Sequence, residues 1–212
     1  MTASATDLPR FIESTLFAPD ATRADIEKLC SEARAKSYRA VCVNGSRVEL
    51  AYAILEETDV QIVALVGFPF GAADADAKRY EAETAIDQGA HEIDFVINLG
   101  RLRDGDRKYV LREMRDLVES ADERPVKAVL ESHLLTSEEK ILACELTLDS
   151  GVHFVAASTG FLTPGATLED VKLLRSTLGE SFGVKACANA GDQQTALTLL
   201  NAGATRLGWI SE

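Results

Sequence analysis

The chain alternates short β-rich runs with amphipathic helical patterns along its whole length, and this alternation most constrains the fold. Strands are expected at residues 11–16, 38–43, 60–67, 91–97, 126–131, 152–158, 182–187 and 205–210. No Pro-, Gly- or Ser-rich linker interrupts the series. Eight strands, most followed by a helix, predict an α/β protein with a (β/α)8 TIM barrel, in which residues 1–212 form a single domain.

The alternative is a doubly wound open sheet, which usually has about five or six strands and a glycine-rich loop after the first. The sequence lacks that loop. It carries instead a weak internal repeat, in which a helix ends on glycine, the chain turns, and an apolar strand begins. The repeat is found in residues 88–95, 150–155 and 202–209.

Helix boundaries are expected from short local motifs. Capping boxes are predicted at Ser46–Glu49 and Thr136–Glu139, and single N-caps at Thr167 and Asp192. Left-handed glycines are predicted to follow four helices, at Gly89, Gly151, Gly179 and Gly203.

Composition excludes several classes of partner. The formal net charge of −12 argues against nucleic acid and anionic membranes, since both need a basic face. No apolar run approaches the ~20 residues of a membrane span, and no signal pattern opens the chain. Four cysteines without Cys-x-x-Cys spacing suggest reduced thiols in the cytoplasm. Three scattered histidines argue against zinc, and we expect neither a metal nor a cofactor.

Two lysines stand out by their positions. Of eight lysines, six fall in helical or loop patterns where a solvated ammonium is the simplest interpretation. Lys127 and Lys185 instead lie inside apolar strand-like runs. Because barrel strands alternate between lumen and helix layer, Asp94 and Lys185 are expected in the lumen, toward the carboxyl ends of their strands.

A lysine and an aspartate in the lumen are suited to carbonyl chemistry. Burial lowers the pKa of an amine, a neutral lysine attacks a carbonyl to form a Schiff base, and a carboxylate moves the protons. The alternative is a structural ion pair that fills the lumen, and spacing alone favours it. Lys127 is interpreted as a member of such a structural ion pair. Cys187, on the face of Lys185, is either a small filler or a reactive thiol.

Two further features have plain interpretations. His133, after the fifth strand, is expected on the surface or in a loop. The segment Gly67–Gly71 is expected to be a rigid turn at a strand end that can form a pocket wall.

With Lys185 and Asp94 placed, the chain resembles deoxyribose-phosphate aldolases, which are class I aldolases on a (β/α)8 barrel. Matching blocks run in order over nearly the whole length. They include Ile12–Leu16, Val41–Asn44, Val66–Gly71, Glu92–Asn98, Val126–Ser132, Phe154–Phe161, Gly183–Ala186 and Gly203–Gly208. The resemblance implies that Asp94 shuttles protons and that Lys185 tunes the nucleophile.

The sequence departs from the family pattern where the chemistry is expected. The Schiff-base lysine of the family stands in a Phe-Val-Lys-Thr-Ser-Thr-Gly motif, which here places Ala156 at the lysine. The early Asp-His-Thr-Leu-Leu-Lys-Pro pattern reads Glu13-Ser-Thr-Leu-Phe-Ala-Pro19. The phosphate loops read Lys185-Ala-Cys-Ala-Asn-Ala-Gly191 and Gly208-Trp-Ile-Ser211, where side chains replace bare backbone that would hold an anion.

These departures suggest a rebuilt pocket in which Lys185 is the Schiff-base nucleophile and Asp94 handles protons. The expected substrate is a small-molecule aldehyde or other carbonyl compound, with poor preference for phosphorylated forms. The expected substrate-binding residues are Ala156, Thr159, Cys187, Ala188, Asn189 and Trp209. The alternative is an impaired or non-catalytic barrel that binds a small apolar molecule. We also consider a homodimer.

Overall fold

Eight parallel strands close into a barrel in the computed structural model, which describes residues 4, 6–162, 165–189 and 191–210. Each strand pairs with its neighbours in sequence, and β1 pairs with β8. The predicted (β/α)8 barrel is therefore confirmed, with all eight strands near their expected places. The strands are β1 Ile12–Leu16, β2 Ala40–Asn44, β3 Gln61–Val66, β4 Glu92–Val96, β5 Val126–Val129, β6 Phe154–Ala156, β7 Gly183–Asn189 and β8 Arg206–Ile210.

Helices surround the barrel and bury one face against it. The main apolar core lies between strands and helices and includes Ile26, Phe95, Met114 and Leu117. No helix among the described residues has the length and apolarity needed to cross a membrane. The helices are α1 Arg23–Ala35, α2 Val48–Leu55, α3 Ala75–Asp87, α4 Leu99–Arg103, α5 Arg107–Ser120, α6 Ser137–Ser150, α7 Leu168–Leu178 and α8 Gln193–Asn201, with 3-10 turns at Leu8–Phe11, Gly45–Arg47 and Ser132–Leu134.

Most predicted helix boundaries are confirmed. Thr136 and Glu139 form a reciprocal capping box, and Thr167 and Asp192 cap their helices through their side chains. The four predicted glycines all have positive φ, although Gly179, with ψ 172°, lies outside the left-handed helical region. The box at Ser46–Glu49 is wrong, because a 3-10 turn occupies Gly45–Arg47 and α2 begins only at Val48 without a side-chain cap.

The internal repeat has a structural cause. Its polar residue, just before each strand, accepts a hydrogen bond from the backbone N–H at the start of the preceding strand. His91 Nδ1 accepts from Ile62 N at 3.1 Å, and His153 Nδ1 accepts from Val126 N at 3.2 Å. Thr205 Oγ1 accepts in the same way from Val184 N at 3.0 Å. The repeat therefore fixes neighbouring strands at the amino end of the barrel.

One lysine that was expected in solvent is buried. Lys78 on α3 has no exposed side-chain area and pairs with Glu113 on α5 at 2.8 Å. Its ammonium also donates to the carbonyl of Val96 at 2.8 Å, and Glu113 accepts from the N–H of Asn98 at 3.0 Å. The pair thus satisfies backbone groups at the carboxyl end of β4, outside the lumen.

Candidate active site

Charged side chains from five strands meet inside the barrel. The alternation of each strand directs these side chains inward, where apolar residues would be the default filling. Acidic and basic groups are interleaved, which limits the cost of burying each charge. The acidic members are Glu13 on β1 and Glu92 and Asp94 on β4; the basic members are Lys127 on β5, Lys185 on β7 and Arg206 on β8.

Lys185 lies between two carboxylates. Its Nζ donates to Asp94 Oδ2 at 2.5 Å and also to Glu13 Oε2. The side chain is 3% exposed, and both carboxylates are buried. The predicted meeting of Lys185 and Asp94 in the lumen is therefore confirmed. Glu13 was missed, although its charge inside an apolar first strand is the same signal that singled out Lys185.

The pKa of Lys185 moves opposite to expectation. Burial lowers the pKa of this amine, but the carboxylates of Asp94 and Glu13 outweigh burial and raise it well above its ordinary value. Burial raises the pKa of Asp94, and the ammonium groups of Lys127 and Lys185 more than reverse that effect. The pair is therefore held in its charged form at neutral pH.

Lys127 forms ion pairs in the lumen, as predicted. Its Nζ lies 2.7 Å from Asp94 Oδ1 and 2.6 Å from Glu92 Oε2, with Glu13 Oε1 at 3.5 Å. Burial lowers the pKa of Lys127, and these carboxylates raise it beyond its ordinary value. Asp94 thus accepts from two ammonium groups at once, one on each of its oxygens.

The network lies deeper than expected. Lys185 is the third residue of the seven-residue strand β7, and Asp94 is the middle residue of β4. The expectation that both lie toward the carboxyl ends of their strands is therefore wrong. Ala156, the last residue of β6, stands beside Lys185 in register and packs with Val96 and Val129. These apolar groups lie in the same part of the lumen as Lys185.

Cys187 and Thr159 lie at the carboxyl side of this network. Cys187 Sγ donates to the carbonyl of Ser158 at 3.1 Å, and burial raises the pKa of its thiol to about 12. A protonated, buried thiol argues against the alternative of a reactive cysteine. The N–H of Thr159 donates to Glu131 Oε2 at 3.1 Å, and its hydroxyl accepts from Phe161 N.

Two expected site residues face away from the lumen. Ala188 and Trp209 are buried in the core between the barrel and the helices, because they alternate with Cys187 and Gly208 along their strands. Their side chains are therefore not brought together with Lys185. Asn189 is exposed at the end of β7. Ala190 and Ser211, in the two loops expected to have lost phosphate contacts, lie outside the described residues.

Glu131 was not predicted as part of the site. It follows β5, is fully buried, and holds a left-handed backbone with φ 47°. Its Oε1 lies 3.1 Å from Nδ1 of His133, whose side chain is 28% exposed. His133 is thus at the surface, as expected, in the 3-10 turn Ser132–Leu134, and its ring reaches inward to a buried carboxylate.

The segment Gly67–Gly71 is a turn, as predicted. The N–H of Gly71 donates to the carbonyl of Gly67 at 2.8 Å, and both glycines have positive φ. A Cβ at Gly71 would lie 2.1 Å from the carbonyl oxygen of Ile97, so only glycine fits. The turn holds Phe68 against the lumen cluster of Val96, Val129 and Ala156.

Comparison with known proteins gives the class to which this barrel and its lysine–carboxylate lumen belong. The profile of the DeoC/LacD family aldolases matches residues 10–181, which is most of the chain. The chain belongs to the DeoC/LacD aldolase family.

Individual relatives align with this chain over nearly its full length. The chain is 45% identical to the deoxyribose-phosphate aldolase of Alkaliphilus oremlandii, with 95% of this chain and 91% of the relative covered. It is also 45% identical to that of Bdellovibrio bacteriovorus, covering 96% and 93%. The tetrameric deoxyribose phosphate aldolase structure from Aeropyrum pernix superposes with a TM-score of 0.89 at 30% identity, covering 97% and 87%.

Proposed function

We propose that the protein is a carbonyl lyase of the deoxyribose-phosphate aldolase type, which acts on small aldehydes through a Schiff base on Lys185. One observation carries the proposal. In a chain of an aldolase family, the amine of Lys185 lies in the lumen with two carboxylates, Asp94 and Glu13, positioned to take its proton.

The choice of Lys185 rests on the residue beside it. The motif Phe154–Gly160 resembles the family's Schiff-base motif, with Ala156 where that motif has lysine. Ala156 and Lys185 are register neighbours on β6 and β7. In this proposal a carbonyl carbon that would have met an amine at position 156 meets the amine of Lys185 from the next strand.

The charged groups then have distinct roles in the reaction. Lys185 passes a proton to Asp94 or Glu13, and the free amine adds to the carbonyl carbon while the carbonyl oxygen takes up a proton. Loss of that oxygen as water, with a proton returned by Asp94, leaves the imine. Removal of the α-proton gives an enamine that adds to a second aldehyde, and hydrolysis frees the product and the amine.

The same network limits the rate. Because Asp94 and Glu13 raise the pKa of Lys185 well above its ordinary value, the free amine is scarce at neutral pH. Activity is therefore reduced at neutral pH and rises with pH. Lys127, which stays close to Asp94, keeps that carboxylate ionised and able to accept a proton.

We further propose that a phosphate group on the substrate adds little binding free energy at this site. Asn189, which is exposed at the end of β7, places a side chain where glycine backbone would be needed to approach an anion closely. In this proposal Thr159, Cys187 and Asn189 line the substrate site, with Ala156 beside the reacting carbon. A well-formed phosphate contact is worth about 1.5–3 kcal/mol, so its loss is measurable as a ratio of kcat/KM values.

Steady-state kinetics of aldol addition between two acetaldehyde molecules tests the proposal, with the product measured by NMR. Wild-type protein is expected to form the hydroxyaldehyde, and Lys185→Met to lose this activity. Lys36→Met, which removes an exposed lysine paired with Glu32, is the matched control and is expected to keep it. Equal activity in Lys185→Met and the control rules the proposal out.

The second candidate function is binding of a small apolar molecule without turnover. The enclosure of Lys185 by carboxylates on both sides favours it, because such an amine serves equally well as part of the core. This candidate predicts that apolar ligands raise the melting temperature while no aldehyde is consumed. Turnover that depends on Lys185 excludes it.

A further inference from the structure

Three phenylalanines from separate loops meet at the carboxyl end of the barrel. Phe17 follows β1, Phe68 follows β3 and Phe161 follows β6. Their ring centroids lie 5.3 Å apart for Phe17 and Phe68, 5.6 Å for Phe17 and Phe161, and 5.8 Å for Phe68 and Phe161. Each ring therefore contacts the other two, and we name this group the aromatic cluster.

The aromatic cluster borders the lumen through Phe68. This ring packs against two groups of buried lumen side chains, one on β2 and β3 that includes Leu65, and one on β4, β5 and β6 that includes Ala156. Ala156 is in turn the register neighbour of Lys185. The aromatic cluster therefore lies against the part of the lumen lining to which the strand neighbour of Lys185 belongs.

The surroundings of the aromatic cluster define the chemistry it accepts. The lumen groups packed against Phe68 are apolar, and the carboxylates of Glu13 and Asp94 lie in the same lumen. An alkyl or aryl group that enters there exchanges one set of apolar contacts for another, at little cost in free energy. A phosphate would lose its hydration against these apolar side chains, which is unfavourable.

The aromatic cluster also has a route to solvent. Phe161 is 43% exposed. Phe68 borders a groove of about 530 Å³ that is lined also by Asn44, Gly45 and Tyr80. A tail can therefore contact the aromatic cluster by entering beside Phe161.

We propose that Phe17, Phe68 and Phe161 form the subsite for the tail of the substrate aldehyde and select alkyl and aryl tails. This proposal rests on the proposed aldehyde chemistry of Lys185, and it adds the class of substrate. The residues act on specificity by contact with the tail, and they leave the reaction at Lys185 unchanged.

The test compares rates of borohydride-trapped adduct formation with hexanal and with acetaldehyde. Phe17→Ala and Phe161→Ala are expected to lower the hexanal-to-acetaldehyde ratio about tenfold, since lost apolar contacts in a pocket have roughly this effect. Phe70→Ala is the matched control, because Phe70 is 66% exposed near Phe68 but outside the aromatic cluster. An unchanged ratio in both cluster variants overturns the proposal.

A second measurement separates this proposal from the proposed reaction. Hexan-1-ol is an unreactive probe with the same tail, and its binding is followed by ligand-observed NMR. Weaker binding of hexan-1-ol to Phe161→Ala than to wild type and to Phe70→Ala supports the subsite. This result holds even if no aldehyde is trapped, because the failure to trap an aldehyde contradicts only the proposed reaction. Equal binding in all three proteins overturns the subsite.

Discussion

Replacement of Lys185 by methionine measures how much the lumen network contributes to stability. The substitution keeps most of the side-chain volume but removes the cation between Asp94 and Glu13. Asp94 keeps Lys127 at 2.7 Å, whereas the cations left to Glu13 among the described residues are more distant, Lys127 at 3.5 Å and Arg206 at 3.6 Å. One fully buried carboxylate therefore loses its close partner.

The expected cost follows from this geometry. Removing one partner of a buried ion pair costs about 3–5 kcal/mol of unfolding free energy. For a domain of this size such a loss lowers Tm by about 6–20 °C. The exposed pair Lys36–Glu32 provides the scale for a surface interaction, and Lys36→Met is expected to cost at most about 1 kcal/mol.

Urea denaturation followed by circular dichroism measures these differences. The double variant Lys185→Met/Glu13→Gln is expected to be more stable than Lys185→Met alone, because glutamine removes the stranded charge. A loss in Lys185→Met no larger than in Lys36→Met would refute the reasoning. A double variant less stable than the single one would refute it as well.

Three other predictions concern pH, backbone strain and thiol reactivity. The pKa of Asp94 is lowered in the folded protein, so its stabilising contribution is present above its unfolded pKa of about 4 and is lost as pH falls below that value. Wild type should therefore lose more unfolding free energy between about pH 6 and about pH 3 than Asp94→Asn does. Gly71→Ala is expected to cost about 4 kcal/mol or more in urea denaturation, since its Cβ would clash with the carbonyl of Ile97; Gly105→Ala, with φ 74° and open space, should cost about 1–2 kcal/mol. Iodoacetamide at neutral pH should leave Cys187 unlabelled in native protein and label it in urea, and rapid native labelling mapped by mass spectrometry would contradict its raised pKa.

The strands and the lumen pair were predictable because their signals are local. A run of apolar residues marks a strand, and a charge inside such a run, as at Asp94, Lys127 and Lys185, marks a lumen group. Lys78 was missed because its signal is not local. It lies in a helix of mixed polarity, and the partner that permits its burial, Glu113, lies 35 residues away.

The pKa direction of Lys185 could not be obtained from the sequence. Burial alone lowers the pKa of an amine, and the sign reverses only because two carboxylates approach within hydrogen-bond distance. Trp209 shows a related limit. A sequence block places a residue near a loop, but strand register decides whether its side chain enters the lumen or the helix layer.

The position of the reduced adduct tests the chemistry of Lys185 most directly. Protein is incubated with acetaldehyde and borohydride, digested, and mapped by mass spectrometry between about pH 7 and about pH 10. We expect the adduct on the peptide that contains Lys185, formed faster as pH rises through this range. An adduct confined to surface lysines, with the same yield in wild type and Lys185→Met, would contradict a Schiff base in the lumen.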